Sequence, residues 1–237
     1  MKKLKFIISI WVCKILIIIS KITGASGSAA PGKYALRICP DAIRMSAGQV
    51  KNKIIVTCGT NGKTTKNNLI NNVLSDKCKT VCNKVGANML TGIATAFLSK
   101  TNIFGKLNCD YAVLEIDEAY AVKAFEHFTP DVINLTNLFR DQLDRYGEIE
   151  FTRNVLIDAV NKAPDATLVI NADDPVCYEI SLKTKVKTVS YSISDNLNTD
   201  LSDAKDGRFC PSCGNELKYN FYHYSQLGDY YCDCGFK

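Results

Sequence analysis

The sequence predicts an α/β fold: a mostly parallel, P-loop-type sheet with helices on both faces, carrying a small four-cysteine zinc-ribbon insertion. Three observations predict it. Apolar, β-branched runs of strand length alternate with stretches of helical spacing. A glycine-bounded loop, Gly59-Thr60-Asn61-Gly62-Lys63-Thr64-Thr65, joins one such run to a helix. Two close cysteine pairs, Cys210/Cys213 and Cys232/Cys234, lie near the end of the 237-residue sequence. Strands that alternate with helices pair in parallel and are covered by those helices on both faces.

Residues 53–57 are a β-branched run that feeds directly into the loop, and 64–74 has helical spacing through Leu69, Ile70, Val73 and Leu74. Further strands are expected at 79–82, 111–116, 131–135, 167–170 and 186–191, and further helices at 89–99, 121–126 and 151–162. Pro31-Gly32 and Pro40-Asp41 break the chain ahead of the first strand. From about residue 197 the composition shifts to Asn, Asp, Ser, Lys and Gly, which marks a separate module. The expected division is a basic, apolar helical segment over 1–48, a central nucleotide-binding domain over 49–205 and a cysteine module over 206–237.

Hydrophobic residues at 46% and charged residues at 22% place the chain among ordinary globular proteins with material for a real core. Its charge is uneven. Residues 1–53 hold ten Lys/Arg and one acid, Asp41, contributing +9 to a net charge of +5. A basic end of this kind suits an anionic surface such as phospholipid, or else is a solvated tail. Leu4 to Ser20 is apolar apart from Lys5, Ser9 and Lys14, which resembles a signal peptide followed by small residues over 24–30. Lys14 divides the run into blocks too short to span a bilayer. An amphipathic helix lying on a membrane is favoured, ahead of a packing helix and then an anchor or signal. Eleven cysteines, odd in number and mostly set in apolar runs, argue for free thiols in a reducing cytosol rather than a disulfide framework.

The loop carries the chemistry. Its glycines let backbone N–H groups turn inward on phosphate oxygens, and the following helix adds its positive N-terminal end. Lys63 would reach the β- and γ-phosphates, and the Thr64 hydroxyl would ligate Mg²⁺. Glu115 ends an apolar strand and would arrive beside Thr64 as the second metal ligand. Asp117 and Glu118 could also touch metal or substrate, but a solvated loop or a helix N-cap is the favoured reading of both. Cys210, Cys213, Cys232 and Cys234 have the spacing of a four-thiolate zinc site, although the second pair holds one intervening residue, Asp233, rather than two. The aromatics at Tyr219, Phe221, Tyr222 and Tyr224 read as packing. With only Lys218 and Lys237 as basic residues in the module, nucleic acid is not expected as a partner. His223 is a spare zinc ligand or, more simply, a satisfied side chain.

These residues resemble the Mur ligase superfamily, and within it the MurT subunits of lipid II isoglutaminyl synthases. The resemblance rests on the 59–64 loop, on Asn83-Lys84-Val85-Gly86-Ala87-Asn88-Met89, and on Asn137-Leu138-Phe139-Arg140-Asp141-Gln142-Leu143-Asp144-Arg145-Tyr146-Gly147-Glu148. Asn171-Ala172-Asp173-Asp174-Pro175 and Pro31-Gly32-Lys33 add to it. With about fifty residues ahead of the loop strand, the nucleotide-sugar domain of ligases that use UDP-linked substrates is not expected here. Gln142 stands where those ligases have a metal-binding His.

The resemblance implies ATP held by Gly59, Thr60, Asn61, Gly62, Lys63, Thr64, Thr65 and Asn137, with Lys63 and Glu115 serving phosphoryl transfer. It implies activation of the α-carboxylate of D-glutamate in the lipid II stem peptide as an acyl phosphate, then amidation to D-isoglutamine. Ammonia would come from a GatD-type glutaminase partner at the inner face of the cell membrane. Family members continue into a C-terminal domain that carries a catalytic Asp, so the chain is expected to stop short of that domain. The rival readings are another Mur-type ligase, such as a folylpolyglutamate-synthase relative, and an ATP- and zinc-binding fragment without turnover.

Overall fold

The computed structural model describes residues 1–24, 27–83, 86–139, 148–195 and 209–237. Six parallel strands form one sheet in the order β2-β3-β1-β4-β5-β6, from β1 (Val50–Cys58), β2 (Thr80–Cys82), β3 (Cys109–Glu115), β4 (Val132–Leu135), β5 (Thr167–Asn171) and β6 (Lys187–Tyr191). All six lie where the sequence places strands. In β3, Ala112, Val113, Leu114 and Glu115 are buried in succession, as a strand covered on both faces requires. The chain runs from β1 past β3 to β2, then returns past β1 to β4. That reversal puts the open ends of β1, β3 and β4 at a topological switch point, where ligands of such sheets bind.

The helices are α1 (Lys2–Ile22), α2 (Ala30–Ile38), α3 (Ala42–Ala47), α4 (Lys63–Ser75), α5 (Leu90–Lys100), α6 (Ala121–Phe125), α7 (Glu148–Asn161) and α8 (Pro175–Lys183). Three differ from expectation. Pro31 and Gly32 sit in the first turn of α2 rather than in a break, since Pro lacks only an N–H that has no partner there. Gly32 meets α5 so closely that a Cβ would lie 1.9 Å from the Thr91 carbonyl oxygen. The apolar set of α4 is split: Leu69 and Val73 face solvent, and the helix seats on the sheet through Asn67, whose amide donates to Cys82 Sγ. Helix α8 is an addition, begun by Pro175 at its first position and capped by Asp174, whose carboxylate accepts from the Val176 and Cys177 N–H groups.

Among the described residues, buried apolar side chains form three clusters. The largest fills the sheet and its helices, with Phe97, Ile93, Leu114, Ile133 and Leu168 among its fully buried side chains. A second joins Phe6, Ile10 and Cys13 of α1 to Ala35, Cys39, Ala42 and Leu98. The third lies in the cysteine module, where β7 (Lys218–Tyr224) and β8 (Leu227–Tyr231) form an antiparallel hairpin. Helix α1 therefore packs one face against α2 and α5. Among the described residues, no helix is long and apolar enough to cross a membrane.

Candidate functional site

The loop after β1 is held from behind by the segment after β4. Thr60 N–H donates to the Asn137 carbonyl (2.7 Å) and Asn61 N–H to Asn137 Oδ1 (2.9 Å). The Thr136 hydroxyl donates to the Asn61 carbonyl (2.8 Å), and Phe139 N–H donates to Thr60 Oγ1 (2.9 Å). This packing leaves no room at Gly59: with φ at 129°, a Cβ there would lie 2.1 Å from Thr136 Oγ1. Gly62 has φ at 76° and caps α4, a left-handed turn that favours glycine. The described geometry of Asn137 is thus that of a loop support, with its amide turned into the 59–62 turn.

Register then sets the acids. Thr57 of β1 pairs with Glu115 of β3, so Glu115 emerges beside the loop. Its carboxylate accepts from the Thr64 hydroxyl at 2.7 Å while remaining buried. Asn83 fixes its backbone, accepting from Glu115 N–H and donating to Glu115 O, both at 2.8 Å. Oxygens on adjacent corners of a magnesium octahedron lie about 2.9 Å apart, given ligand distances near 2.1 Å. The Thr64–Glu115 pair fits that cation, since both are hard oxygen donors already converged on one point.

Two acids beyond Glu115 separate in role. Asp117 is an N-cap: it accepts from Ala119 N–H at 3.1 Å and so starts the 3-10 turn Glu118–Tyr120. Glu118 turns into the loop, where its Oε1 accepts from Lys63 Nζ at 2.9 Å and from Gly59 N–H at 2.7 Å. Both partners of that ion pair are largely buried, at 14% and 13% side-chain exposure. The sequence alone does not assign Glu118, and its place three residues past Glu115 is the one signal it offers. A cleft of about 300 Å³ opens here, lined by Thr60, Asn61, Lys63, Glu118, Phe139 and Thr152 among others. Lys66, one turn into α4, bonds the Tyr191 hydroxyl and Asn134 Oδ1, and burial lowers its pKa. No pattern in the sequence marked it. Thr65 follows Thr64 in the first turn of α4. Gln142 and the rest of 140–147, together with Lys84 and Val85, lie outside the described residues.

The four cysteines of the module converge. Their sulfurs all lie within 4.8 Å of one another, with Cys210–Cys234 at 3.6 Å and Cys213–Cys232 at 3.5 Å. Thiolates held tetrahedrally at about 2.3 Å from zinc are about 3.8 Å apart, so the quartet fits that ion with little adjustment. Backbone N–H groups of Ser212 and Cys213 point at the Cys210 sulfur, that of Asn215 at Cys213 and that of Phe236 at Cys234. The Phe236 N–H and the neighbouring thiols bring the Cys234 thiol down to about 7, while burial and the same shared thiol hydrogen bonds push Cys210 and Cys213 up. His223 stands apart, with its Nε2 on the Ile193 carbonyl at 2.9 Å. The module's aromatics pack: Tyr219 stacks on Tyr222 at 4.1 Å, and Tyr224 meets Phe139 edge-on at 5.7 Å.

The family profile of the Mur ligase middle domain matches residues 56–228. The chain belongs to the Mur ligase family. This Mur ligase chain is 36% identical over 220 residues to the lipid II isoglutaminyl synthase (glutamine-hydrolyzing) subunit MurT of Staphylococcus aureus strain N315, covering 92% of this chain and 49% of that protein. It is 39% identical over 214 residues to the subunit of the same name from Streptococcus pneumoniae strain ATCC BAA-255 / R6, covering 89% and 47%. The chain thus spans about half the length of the curated relatives it matches. Among solved structures, a pseudomurein peptide ligase type C from Methanothermus fervidus superposes with a TM-score of 0.63 at 26% identity, covering 84% of this chain and 38% of that one. MurF ligase from Thermotoga maritima, in complex with ADP, shares the fold with a TM-score of 0.55 at 19% identity, covering 70% and 38%.

Proposed function

We propose that this chain is the ATP-binding part of an amide ligase of peptidoglycan synthesis, organised as the three segments 1–48, 49–205 and 206–237. The observation that carries the reading is the convergence of Lys63, Thr64 and Glu115 at the switch point of a Mur ligase sheet. In this reading Gly59, Thr60, Asn61, Gly62, Lys63, Thr64 and Thr65 hold the triphosphate and Asn137 props the loop that does so. Thr64 and Glu115 supply the oxygen ligands of magnesium. The ion, when bound, neutralises charge on the β- and γ-phosphates. Phosphoryl transfer needs positioning and charge compensation more than covalent help, and the Lys63 ammonium, fixed on the first residue of α4, provides both. Cys210, Cys213, Cys232 and Cys234 hold zinc as a closed structural site.

The likeness to proteins named MurT supports a finer form of the same proposal. The acceptor is the α-carboxylate of D-glutamate in the lipid II stem, which takes the γ-phosphate as an acyl phosphate. Ammonia from a GatD-type glutaminase subunit then displaces phosphate to leave D-isoglutamine. The chain would work in the cytoplasm, at the inner face of the membrane that carries lipid II. Titration calorimetry with a non-hydrolysable ATP analogue tests the base of the proposal. Lys63→Ala is expected to weaken magnesium-dependent binding at least about 100-fold, the worth of a buried charged partner at roughly 3 kcal/mol. Unchanged affinity in that variant removes the loop assignment. Glutamine-dependent amidation of lipid II by the chain with a glutaminase subunit tests the finer form, and its absence while ATP still binds favours a fragment without turnover.

A further inference from the structure

Helix α1 has two apolar faces, and the fold uses one. Phe6, Ile10 and Cys13 are buried against α2 and α5. Leu4, Ile8, Trp11, Ile15, Ile18 and Ile22 recur at alternating spacings of four and three, which aligns them on the opposite face. Each of the six is exposed, Ile15 at 55% and Ile18 at 58%. The stripe continues onto the turn after α5, because the Trp11 indole N–H donates to the Ile103 carbonyl at 2.9 Å. Ile103 and Phe104 there are themselves exposed, Phe104 at 76%.

Charge says what covers this face. Lys3, Lys5 and Lys21 lie on the shoulders of α1, Lys100 and Lys106 flank the Phe104 turn, and the helix holds no acid. A second copy of the chain would bring two rows of lysines together around a shared apolar seam, which is repulsive. An anionic lipid surface accepts both features: the isoleucines and Trp11 enter the headgroup boundary, and long lysine stems reach back to the phosphates. No described helix is fit to cross the bilayer, so the contact is parallel to its plane. We propose that the outer face of α1, with the Ile103–Phe104 turn, is a docking surface for anionic phospholipid. It deepens the membrane location proposed above and rests on it.

Trp11 is the only tryptophan of the chain, so its fluorescence reads the face directly. The whole chain is mixed with phosphatidylcholine vesicles and with vesicles that also contain phosphatidylglycerol. Co-sedimentation and a blue shift of emission are expected with the anionic vesicles, at least about tenfold stronger than with the neutral ones and falling as salt is raised. The double variant Ile15→Glu/Ile18→Glu changes exposed positions only. It should keep the thermal midpoint of the parent and lose the binding and the shift. If the parent binds anionic vesicles and the variant binds them equally, this surface is wrong while the membrane location stands. If the parent binds no vesicle, both fall. A dimer in analytical ultracentrifugation that the double variant dissociates overturns the proposal in favour of a second copy. Nucleotide affinity, measured on the same samples, stays independent of each result.

Discussion

Lys63 shows how a single contact sets the state of the phosphate loop. Its ammonium and the Gly59 N–H both donate to one oxygen of Glu118, as they would to an oxygen of a phosphate. A triphosphate entering the loop has to take over these donors. Glu118→Gln keeps the shape and an acceptor but removes the charge. Charge-assisted hydrogen bonds exceed neutral ones by about 1 kcal/mol, so ATP affinity should rise about fivefold. Calorimetry on the variant decides: weaker binding would mean that the Glu118 charge helps to hold nucleotide. At this scale the sequence was informative where a residue acts through its neighbours in the chain. Lys63 on the loop was legible for that reason, whereas the N-cap at Asp117 stood only as one of several open readings. The Lys63–Glu118 pair was not legible, because it joins residues 55 apart through the register of β1 and β3.

Elements were legible in proportion to how local their signals are. The six strands are short runs rich in apolar or β-branched residues, and each forms where those runs lie. Helix α8 has a start signal in Asp174-Pro175, yet its short apolar content blends with the preceding strand. Asp174 also shows why the element is anchored. Fully buried, its carboxyl is pushed up to about 6 by desolvation, against the backbone N–H groups of Leu138, Val176 and Cys177 that it accepts from. Helix α1 is the element that one-dimensional reading divides least well, since apolar residues occupy nearly its whole circumference and only packing tells the inner face from the outer. Ile10→Ala removes a fully buried side chain and should cost about 2–4 kcal/mol by chemical denaturation. Ile18→Ala, on the exposed face, should stay within about 0.5 kcal/mol of the parent. Equal costs would mean that α1 is not seated as described.

Across the whole molecule, the cysteine module and the phosphate loop are one mechanical unit. Gln226 at the hairpin turn donates to the Leu138 carbonyl at 2.7 Å, and Tyr230 donates to the Ala172 carbonyl at 3.0 Å. Leu138 N–H is held by Asp174 at 2.7 Å, and the adjoining Asn137 and Phe139 carry the loop through Thr60 and Asn61. Loss of the metal, by chelation or by Cys210→Ser, should therefore reach the nucleotide site. We expect bound zinc at about one per chain in the parent and an about five- to thirtyfold weaker ATP affinity once it is gone, roughly the worth of one or two buried hydrogen bonds at about 1 kcal/mol each. Metal analysis beside calorimetry checks this; an affinity indifferent to zinc would show the two parts uncoupled.

By itself, the sequence determined the strand and helix alternation, the phosphate loop on its strand-to-helix turn, the four cysteines with metal-ligand spacing and the likeness to Mur ligases. Each is written in residues close together in the chain, where propensity and spacing act. The tertiary structure alone decided that Glu118 occupies the Lys63 ammonium, that residues 136–139 brace the loop and pass it to the hairpin, and that α1 turns an isoleucine stripe and the single tryptophan outward. Those facts depend on which strands are neighbours and which faces are covered. Sheet order and burial are properties of the packed chain, and a local pattern does not carry them.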